Sequence, residues 1–204
     1  MGHPSAKELL LDCAERLFAE HGLEGASLRS INAAAGLSAA ALHYHFGSKE
    51  ALVQALLERH MPALMERRRR LLDALADQSE APTTREVLSA LIRPQVELLA
   101  KGGEPGLRYL RLIHRLQADG DLDPRFVIER WPGGVNRLLP LLQKANPSLP
   151  RPVIQLRLGL SIDVMLRSLA HRPTAKRGGL DAYVSALLDF LSGAFGAPIT
   201  GESK

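Results

Sequence analysis

The chain has 204 residues, enough for one or two domains with a substantial core. Aromatic residues make up only 4% of it and the formal net charge is +4, while leucine and alanine are abundant, which favours packed helices over sheets. The single cysteine, Cys13, excludes an internal disulfide framework, and no signal-like or bilayer-length apolar stretch is found, so we expect a cytoplasmic protein that does not associate with membranes.

The first predicted helix has an apolar stripe at helical spacing. Because Cys13 lies in this stripe, we interpret it as a buried structural thiol rather than a redox sensor. The stripe consists of Leu10, Cys13, Ala14, Leu17, Phe18 and His21.

Residues 27–50 predict two short helices joined by a glycine turn and followed directly by another helix. Ser27 is a favourable N-cap, Gly36 supplies the positive φ that a tight turn between helices needs, and Ser38 is predicted to cap the second helix. Ser48 is predicted to cap the helix that follows. Two helices across a short turn containing glycine form the unit that places its second helix in the DNA major groove. The segment therefore predicts DNA binding.

The exposed side chains of the second helix limit the contacts that it can make with DNA. Ala39 and Ala40 have only methyl groups to pack against a thymine methyl group. His43 and Tyr44 are the only long polar groups on the exposed face, so we predict that they supply the main side-chain contacts. We discount metal binding by His43 and His45 because side chains two residues apart on a helix point in different directions.

The charge of this region is slightly negative. We therefore expect phosphate binding to depend on the helix N-termini at Ser27, Ser38 and Ser48 and on a few placed side chains, with a shallow salt dependence. The first 50 residues contain Lys7, Arg16, Arg29 and Lys49 against Glu8, Asp12, Glu15, Glu20, Glu24 and Glu50.

Helical patterns continue to the C-terminus, giving about nine helices and an all-α fold. A break or kink is expected at Pro62, and kinks at Pro94 and Pro140. The arginine run 67–70 is interpreted as a solvated helix face, with a second DNA-facing patch as the alternative. After the helix that starts at Ser48, helices are predicted over 63–76, 84–101, 105–118, 124–144, 151–171 and 180–195.

With the preceding LFAEHGLEGAS, residues 27–50 resemble the N-terminal domain of the TetR family of one-component transcriptional regulators. Two positions depart from the family pattern. His43 replaces a tyrosine that usually contacts phosphate, and Asn32 replaces a small apolar residue between the two helices. The resemblance rests on Phe18, Gly22, Ala26, Ser27, Ile31, Ala35, Gly36, Ser38, Leu42, His45, Phe46, Ser48, Lys49, Glu50 and Leu52.

The resemblance implies an N-terminal three-helix helix-turn-helix domain over 1–48 and a larger C-terminal helical bundle over 49–204 for effector binding and dimerisation. It assigns Lys49 to the phosphate backbone and puts Arg29 close to DNA. It also implies a homodimer on a palindromic operator in double-stranded DNA, with recognition helices about 34–36 Å apart. A small effector would release the repressor by tilting the helix after Ser48.

Two C-terminal segments, 153–170 and 182–195, are apolar around much of their circumference. Such helices must be buried on more than one side, so we predict that they form a four-helix bundle with a second copy of the chain. Burial inside one larger domain is the alternative. The candidate interface residues are Leu158, Ile162, Leu187 and Leu191.

A small hydrophobic effector is expected in the C-terminal region, and the candidate pocket residues are Tyr109, His114, Trp131 and Asp163. Each has a structural alternative: core aromatics, a surface histidine, and an aspartate paired with an arginine such as Arg167. Resemblance to the subgroup that controls fatty-acid metabolism makes an acyl compound the effector to test.

Two other classes of protein are considered. A DNA-binding dimer without an effector shares the N-terminal features. An all-helical enzyme is more distant, because the sequence lacks HExxH, Gly-x-Ser-x-Gly, Walker and Glu-x-x-His motifs. We expect no catalytic activity, no metal and no cofactor.

Overall fold

A computed structural model of the chain describes residues 4–120, 136–172 and 179–199. Every regular element in these ranges is a helix, which confirms the all-α prediction. Eight helices lie in this described part of the chain, against the nine or so expected for the whole chain. They are α1 (Ala6–Gly25), α2 (Leu28–Ala34), α3 (Ala41–Phe46), α4 (Lys49–Ala76), α5 (Thr84–Ala118), α6 (Leu138–Ala145), α7 (Arg151–Ala170) and α8 (Gly179–Gly196).

The N-terminal unit is built from α1, α2 and α3, with the start of α4 packed against it. The side chains of Phe18, Ile31, Leu42 and Leu52 have no solvent exposure and form its centre. Their spacing along short amphipathic helices turns one apolar face of each helix toward this centre. Cys13 is half-buried and packs against the same core.

The helix α4 continues from Lys49 to Ala76 through Pro62, so the predicted break at this proline is wrong. Pro62 lies on the exposed side of the helix. A proline removes one backbone hydrogen bond, and the burial of Leu57, Met61 and Leu64 around it keeps this part of α4 helical.

The helix α5 lies at the centre of the larger unit and contacts α1, α4, α6, α7 and α8. The predicted loop between residues 101 and 105 is reduced to one non-helical residue, Gly103, with φ 52° and ψ −130°. Three residues later, a Cβ on Gly106 would lie 2.6 Å from the carbonyl oxygen of Leu98, so only glycine permits this close backbone approach. The two glycines thus allow a sharp kink in α5, and the helix continues after it to Ala118.

The predicted helix 124–144 is described only in its last part, as α6, because its earlier residues lie outside the described ranges. The helices α7 and α8 pack against each other and against α5. Within the described ranges, no helix combines the length and the apolar character needed to cross a bilayer. The domain division at residue 48 stays a prediction, since α4 contacts α1 and α3 as well as α5.

The arginine run 67–70 does not form one solvated face. Arg67 makes a bidentate pair with Glu97 on α5, with its shortest N–O distance 2.8 Å. Arg69 and Arg70 both pair with Glu66, also at 2.8 Å. Arg68 points inward and is 3% exposed, so the solvated-face interpretation is wrong for this residue. The pairings of its neighbours with carboxylates of the protein make a second DNA-facing patch unfavourable.

Candidate DNA-binding surface and effector region

The surface formed by α2, the turn after it and α3 is open to solvent. The side chain of Tyr44 is 85% exposed and contacts the ring of His45 edge-on, with centroids 5.1 Å apart. A large aromatic side chain exposed to this degree is available for an external partner. Seven of the eight predicted DNA contacts are exposed: Ser27, Arg29, Ser38, Ala39, Ala40, His43 and Tyr44. The eighth, Lys49, is half-buried.

The local geometry of α2 agrees with the sequence. The Ser27 hydroxyl accepts a hydrogen bond from the Ser30 N–H at 3.0 Å and caps α2, as predicted. Gly36 has φ +66°, which is the positive φ that the turn was expected to need. A residue with a Cβ at this position would be strained.

The start of α3 differs from the prediction. The helix begins at Ala41, and Ala40 occupies the N-cap position without a side-chain hydrogen bond. Ser38 contributes only its carbonyl oxygen, which accepts from the Ala41 N–H at 3.0 Å. The predicted cap by Ser38 is therefore wrong, because two turn residues separate it from the helix.

Asn32 takes the capping role instead, from the neighbouring helix. Its side chain is 3% exposed; its Oδ1 accepts from the Leu42 N–H at 3.1 Å and its Nδ2 donates to the Ala39 carbonyl oxygen at 3.0 Å. The Leu42 N–H is one of the first four N–H groups of α3, which have no partner inside the helix. Asn32 thus satisfies a buried donor and joins α2 to α3 in a fixed orientation. The sequence signal for this role was a single polar residue in the apolar stripe of α2, ahead of a helix start rich in alanine.

Two lysines lie on aromatic rings near this surface. The Nζ of Lys7 is 5.8 Å from the ring centroid of Phe46, and the Nζ of Lys49 is 6.0 Å from that of Phe18. These distances are within the range of cation–π attraction, which holds each ammonium group beside the helix-turn-helix unit. Lys49, the predicted phosphate contact, is therefore positioned by α1 as well as by its own helix.

The N-terminus of α4 already has an acidic neighbour. The Ser48 hydroxyl accepts from the Ala51 N–H at 3.1 Å, which confirms the predicted cap. The pKa of the Glu50 carboxyl is lowered, first by a hydrogen bond from the Glu50 backbone N–H and then by one from the Ser48 side chain. An ionised carboxylate here competes with a phosphate for the positive end of the helix dipole. The expectation that this N-terminus attracts phosphate is weakened accordingly.

A group of polar side chains, buried except for the half-buried His60, lies where α1, α4 and α5 meet. We call it the inner polar cluster: Glu15, His60, Arg68, Gln95 and Tyr109. The Glu15 Oε2 is 3.3 Å from the His60 Nε2, and the ring centroids of His60 and Tyr109 are 4.3 Å apart. These contacts connect α1 of the N-terminal unit to α5, the central helix of the larger unit.

The three predicted pocket residues that the structure describes do not form one group. Tyr109 is buried and belongs to the inner polar cluster. His114 is half-buried, and its Nδ1 is 3.3 Å from the Nε2 of His171. Asp163 is exposed and accepts from the Gln117 side chain, so it is neither a buried carboxylate nor the expected partner of an arginine. Trp131 lies outside the described residues.

The predicted interface residues lie on the inner side of the last two helices. Leu158, Leu187 and Leu191 are between 2% and 8% exposed within a single chain, and Ile162 is partly buried. The three leucines fill the protomer core, so little of their surface remains for a partner, and the interface through these residues stays a prediction. The exposed apolar side chains on the same helices are Leu156 (63%), Leu160 (55%) and Phe190 (65%).

Residues 10–56 match the family described as "Bacterial regulatory proteins, tetR family". Residues 89–194, slightly over half of the chain, match the family described as "Tetracyclin repressor-like, C-terminal domain". The two matches correspond to the N-terminal unit with the start of α4 and to the larger unit from α5 to α8.

Curated relatives match part of the chain. It is 46% identical over 52 residues to the HTH-type transcriptional repressor AcnR of Corynebacterium efficiens, covering 26% of this chain and 28% of AcnR. It is 33% identical over 98 residues to the HTH-type transcriptional repressor KstR2 of Rhodococcus jostii, covering 48% and 45%. The chain thus spans less than half the length of each relative. The solved structure of the ketosteroid transcriptional regulator KstR2 of Mycobacterium tuberculosis has a TM-score of 0.63 and 22% identity, over 96% of this chain and 95% of that one. This last likeness shows the fold.

Proposed function

The chain belongs to the TetR family of bacterial regulatory proteins, and on this basis we propose that it is a transcriptional repressor that binds operator DNA as a homodimer. The observation that supports DNA binding most directly is the exposed face of α3 around Tyr44, held in place by the buried Asn32. A short helix that presents an 85% exposed tyrosine from a rigid support is suited to the major groove. The relatives are described as transcriptional repressors, so we infer no catalytic role.

The DNA contacts are proposed to come from few side chains. His43 and Tyr44 reach base edges or phosphates, while Arg29 and Lys49 lie on either side as phosphate contacts. Ala39 and Ala40 pack against thymine methyl groups. Because the first 50 residues have two more acidic than basic side chains (six against four), few counterions are released on binding. We therefore expect a shallow dependence of affinity on salt.

DNA binding is tested by selecting duplexes from a random library with the purified protein and measuring affinity for the selected site by fluorescence anisotropy. Tyr44→Ala and His43→Ala are each expected to weaken binding by about tenfold, the loss typical of one good contact. His171→Ala changes an exposed histidine at the end of α7 and serves as the control. Unchanged affinity in both α3 variants would contradict the assigned contacts, and no selected site would contradict the function.

The dimer is proposed to form through the outer faces of α7 and α8. Leu156 and Leu160 are one helical turn apart, and Phe190 is exposed on the neighbouring helix. Apolar side chains at 55% to 65% exposure on two adjacent helices form a surface that a second copy would cover, giving a four-helix bundle. The two-fold axis of such a dimer would present the two α3 helices to a palindromic operator.

Light scattering at micromolar concentration tests this arrangement. Leu160→Glu and Phe190→Glu are each expected to yield monomers, because a charge is placed in an apolar interface. Ala100→Glu, an exposed alanine on α5, is the matched control and should remain dimeric. A monomeric wild-type protein would remove both the dimer and the palindrome.

A small hydrophobic effector is proposed to bind in the larger unit and to lower operator affinity. The connection from Tyr109 through His60 to Glu15 supports such coupling, because it links α5 to α1 through α4. Coupling between two ligands is reciprocal, so DNA should weaken effector binding by the same factor. Saturated acyl compounds are the first class to screen. An effector with equal affinity for the free and the DNA-bound dimer would contradict the coupling.

A further inference from the structure

Arg68 is the one arginine of its run that lies in the core. The residue is 3% exposed, and burial lowers the pKa of Arg68 to about 10, so it stays protonated at neutral pH. Its Nη2 donates to the Leu91 carbonyl oxygen at 3.3 Å, and its Nη1 lies 3.4 Å from the sulfur of Met65. With the Gln95 amide oxygen turned toward it, Nη2 also donates to Gln95 at 2.5 Å. All of these partners are neutral.

The Arg68 cation lacks a counter-charge within the described parts of the chain. The neighbouring arginines 67, 69 and 70 each pair with a carboxylate, whereas Arg68 does not, and its Nε donates to no atom at all. A buried guanidinium without a paired anion is costly, since desolvation is not repaid by attraction. Such a group is retained only if something offsets this cost.

The hydroxyl group of Tyr109 is a second buried donor without an acceptor. The side chain is 1% exposed and its Oη makes no hydrogen bond. Burial, and secondarily the Glu15 carboxylate, raise the pKa of Tyr109 far above its ordinary value, so the phenol keeps its proton. Like Arg68, Tyr109 is fully enclosed between α4 and α5, where its ring lies against His60 of α4 at a centroid distance of 4.3 Å. An unsatisfied buried hydroxyl is costly, because it loses its hydrogen bonds to water on folding and gains none in exchange.

A structural role for Arg68 explains only part of these observations. Pro94 has no N–H, so the hydrogen bonding of α5 is interrupted there, and Arg68 donates to a carbonyl of the same turn. That role requires a donor but not a positive charge. It also leaves the Nε of Arg68 and the hydroxyl of Tyr109 without partners.

We propose that Arg68 and Tyr109 together bind the carboxylate head of an apolar acid, which is the effector of this protein. A carboxylate accepts from a guanidinium and from a phenol at the same time, and it supplies the missing negative charge. The Met65 side chain, whose sulfur lies 3.4 Å from the guanidinium, suits an apolar body. This assignment rests on the proposed function, because it names the chemical class of the effector and the side chains that recognise its head.

The test compares acids with neutral compounds of the same shape. Decanoate and decanol, 4-phenylbutyrate and 4-phenylbutanol, and cholate and its primary alcohol are titrated into the full-length protein by calorimetry. The wild-type protein is expected to bind at least one acid tenfold or more tightly than its neutral counterpart. If no acid is preferred over its counterpart, the proposal is overturned.

Substitutions assign the preference to the two donors. Arg68→Met should abolish the preference and leave the melting temperature of the unliganded protein equal or higher, since an uncompensated buried charge is replaced by an apolar side chain. Tyr109→Phe should reduce the preference about fivefold to tenfold without loss of stability. Arg70→Met, on the exposed side of the same helix, should retain it. A preference that survives both Arg68→Met and Tyr109→Phe would overturn the proposal; if Arg68→Met does not fold, Tyr109→Phe decides alone.

Measuring the affinity of the unliganded wild-type protein for its selected operator distinguishes a failure of the carboxylate site from a failure of the repressor function. Operator binding without an acid preference would refute the carboxylate site and leave the repressor function standing. An acid preference without operator binding would refute the repressor function and leave the site standing.

Discussion

The position of α3, the helix proposed to enter the major groove, is predicted to depend on Asn32. Replacing it with alanine removes the acceptor of the Leu42 N–H, at 3.1 Å, and the donor to the Ala39 carbonyl oxygen, at 3.0 Å. The Leu42 N–H is buried and has no other partner, so its loss costs about 1–3 kcal/mol. The Ala39 carbonyl belongs to an exposed residue that water can reach, and this second loss adds less than about 1 kcal/mol.

We therefore expect Asn32→Ala to lower the free energy of unfolding by about 2–3 kcal/mol, which corresponds to about 4–12 °C in melting temperature for a chain of this size. Operator affinity should fall by about tenfold or more, because α3 loses the contact that sets its angle to α2. Thermal unfolding by circular dichroism and fluorescence anisotropy with the selected duplex measure the two effects.

Two further variants sharpen this test. Ser30→Ala removes an exposed hydroxyl that bonds only within its own turn, to Ser27, and should cost well under 1 kcal/mol. Asn32→Asp retains an acceptor for the Leu42 N–H but sets a carboxylate against the Ala39 carbonyl oxygen, so it should be intermediate. If Asn32→Ala is as stable as Ser30→Ala and binds DNA equally well, the capping role assigned to Asn32 is refuted.

Three other predictions follow from single contacts. Gly22→Ala should lower the free energy of unfolding by about 1–2 kcal/mol, because Gly22 has φ +75° and its added Cβ would lie 3.0 Å from the Nε of Arg115; urea unfolding measures this. Glu50→Gln should raise operator affinity at low salt, since it removes an ionised carboxylate from the start of α4; anisotropy at two salt concentrations measures this. Burial first, then the nearby His171, lower the pKa of His114 in the folded protein, so the unfolded chain takes up its proton more readily. The stability contributed by neutral His114 should therefore be complete above about pH 6.5 and decline as the pH falls toward the folded pKa, and His114→Gln should flatten that part of a melting-temperature profile.

The glycine and glutamate predictions each have a matched control. Gly102→Ala lies in α5, where the added Cβ would be 3.7 Å from Leu98, and it should be neutral. Glu80→Gln changes an exposed carboxylate in the loop after α4 and should leave DNA binding unchanged. Equal losses of unfolding free energy in Gly22→Ala and Gly102→Ala would contradict the role of the positive φ. Equal gains of operator affinity in Glu50→Gln and Glu80→Gln would contradict the role of the α4 N-terminus. A melting-temperature profile of His114→Gln parallel to that of the wild type would contradict the role of His114.

The sequence alone predicted the features that depend on neighbouring residues. Ser27 and Ser48 cap the helices that follow them, because a serine hydroxyl reaches an N–H three residues ahead in the same chain. Gly36 adopts the positive φ that the turn required, and the interruption near residue 103 occurs where the glycines and prolines are concentrated. The exposed position of Tyr44 follows from the periodicity of a short helix with one buried face. All of these are local, and local sequence determines them.

Tertiary structure decided which neighbour each helix face meets. Arg68 occurs in a run of four arginines that differ in nothing visible along the chain, and only the packing of α4 against α5 buries this one. Asn32 caps a helix that starts nine residues later, and only the fold brings that helix to it. Leu158 and Leu160 are equally apolar, yet one fills the protomer core and the other faces outward. Helical periodicity gives the angle between two side chains but not the direction of either, because that direction depends on the helices packed around it.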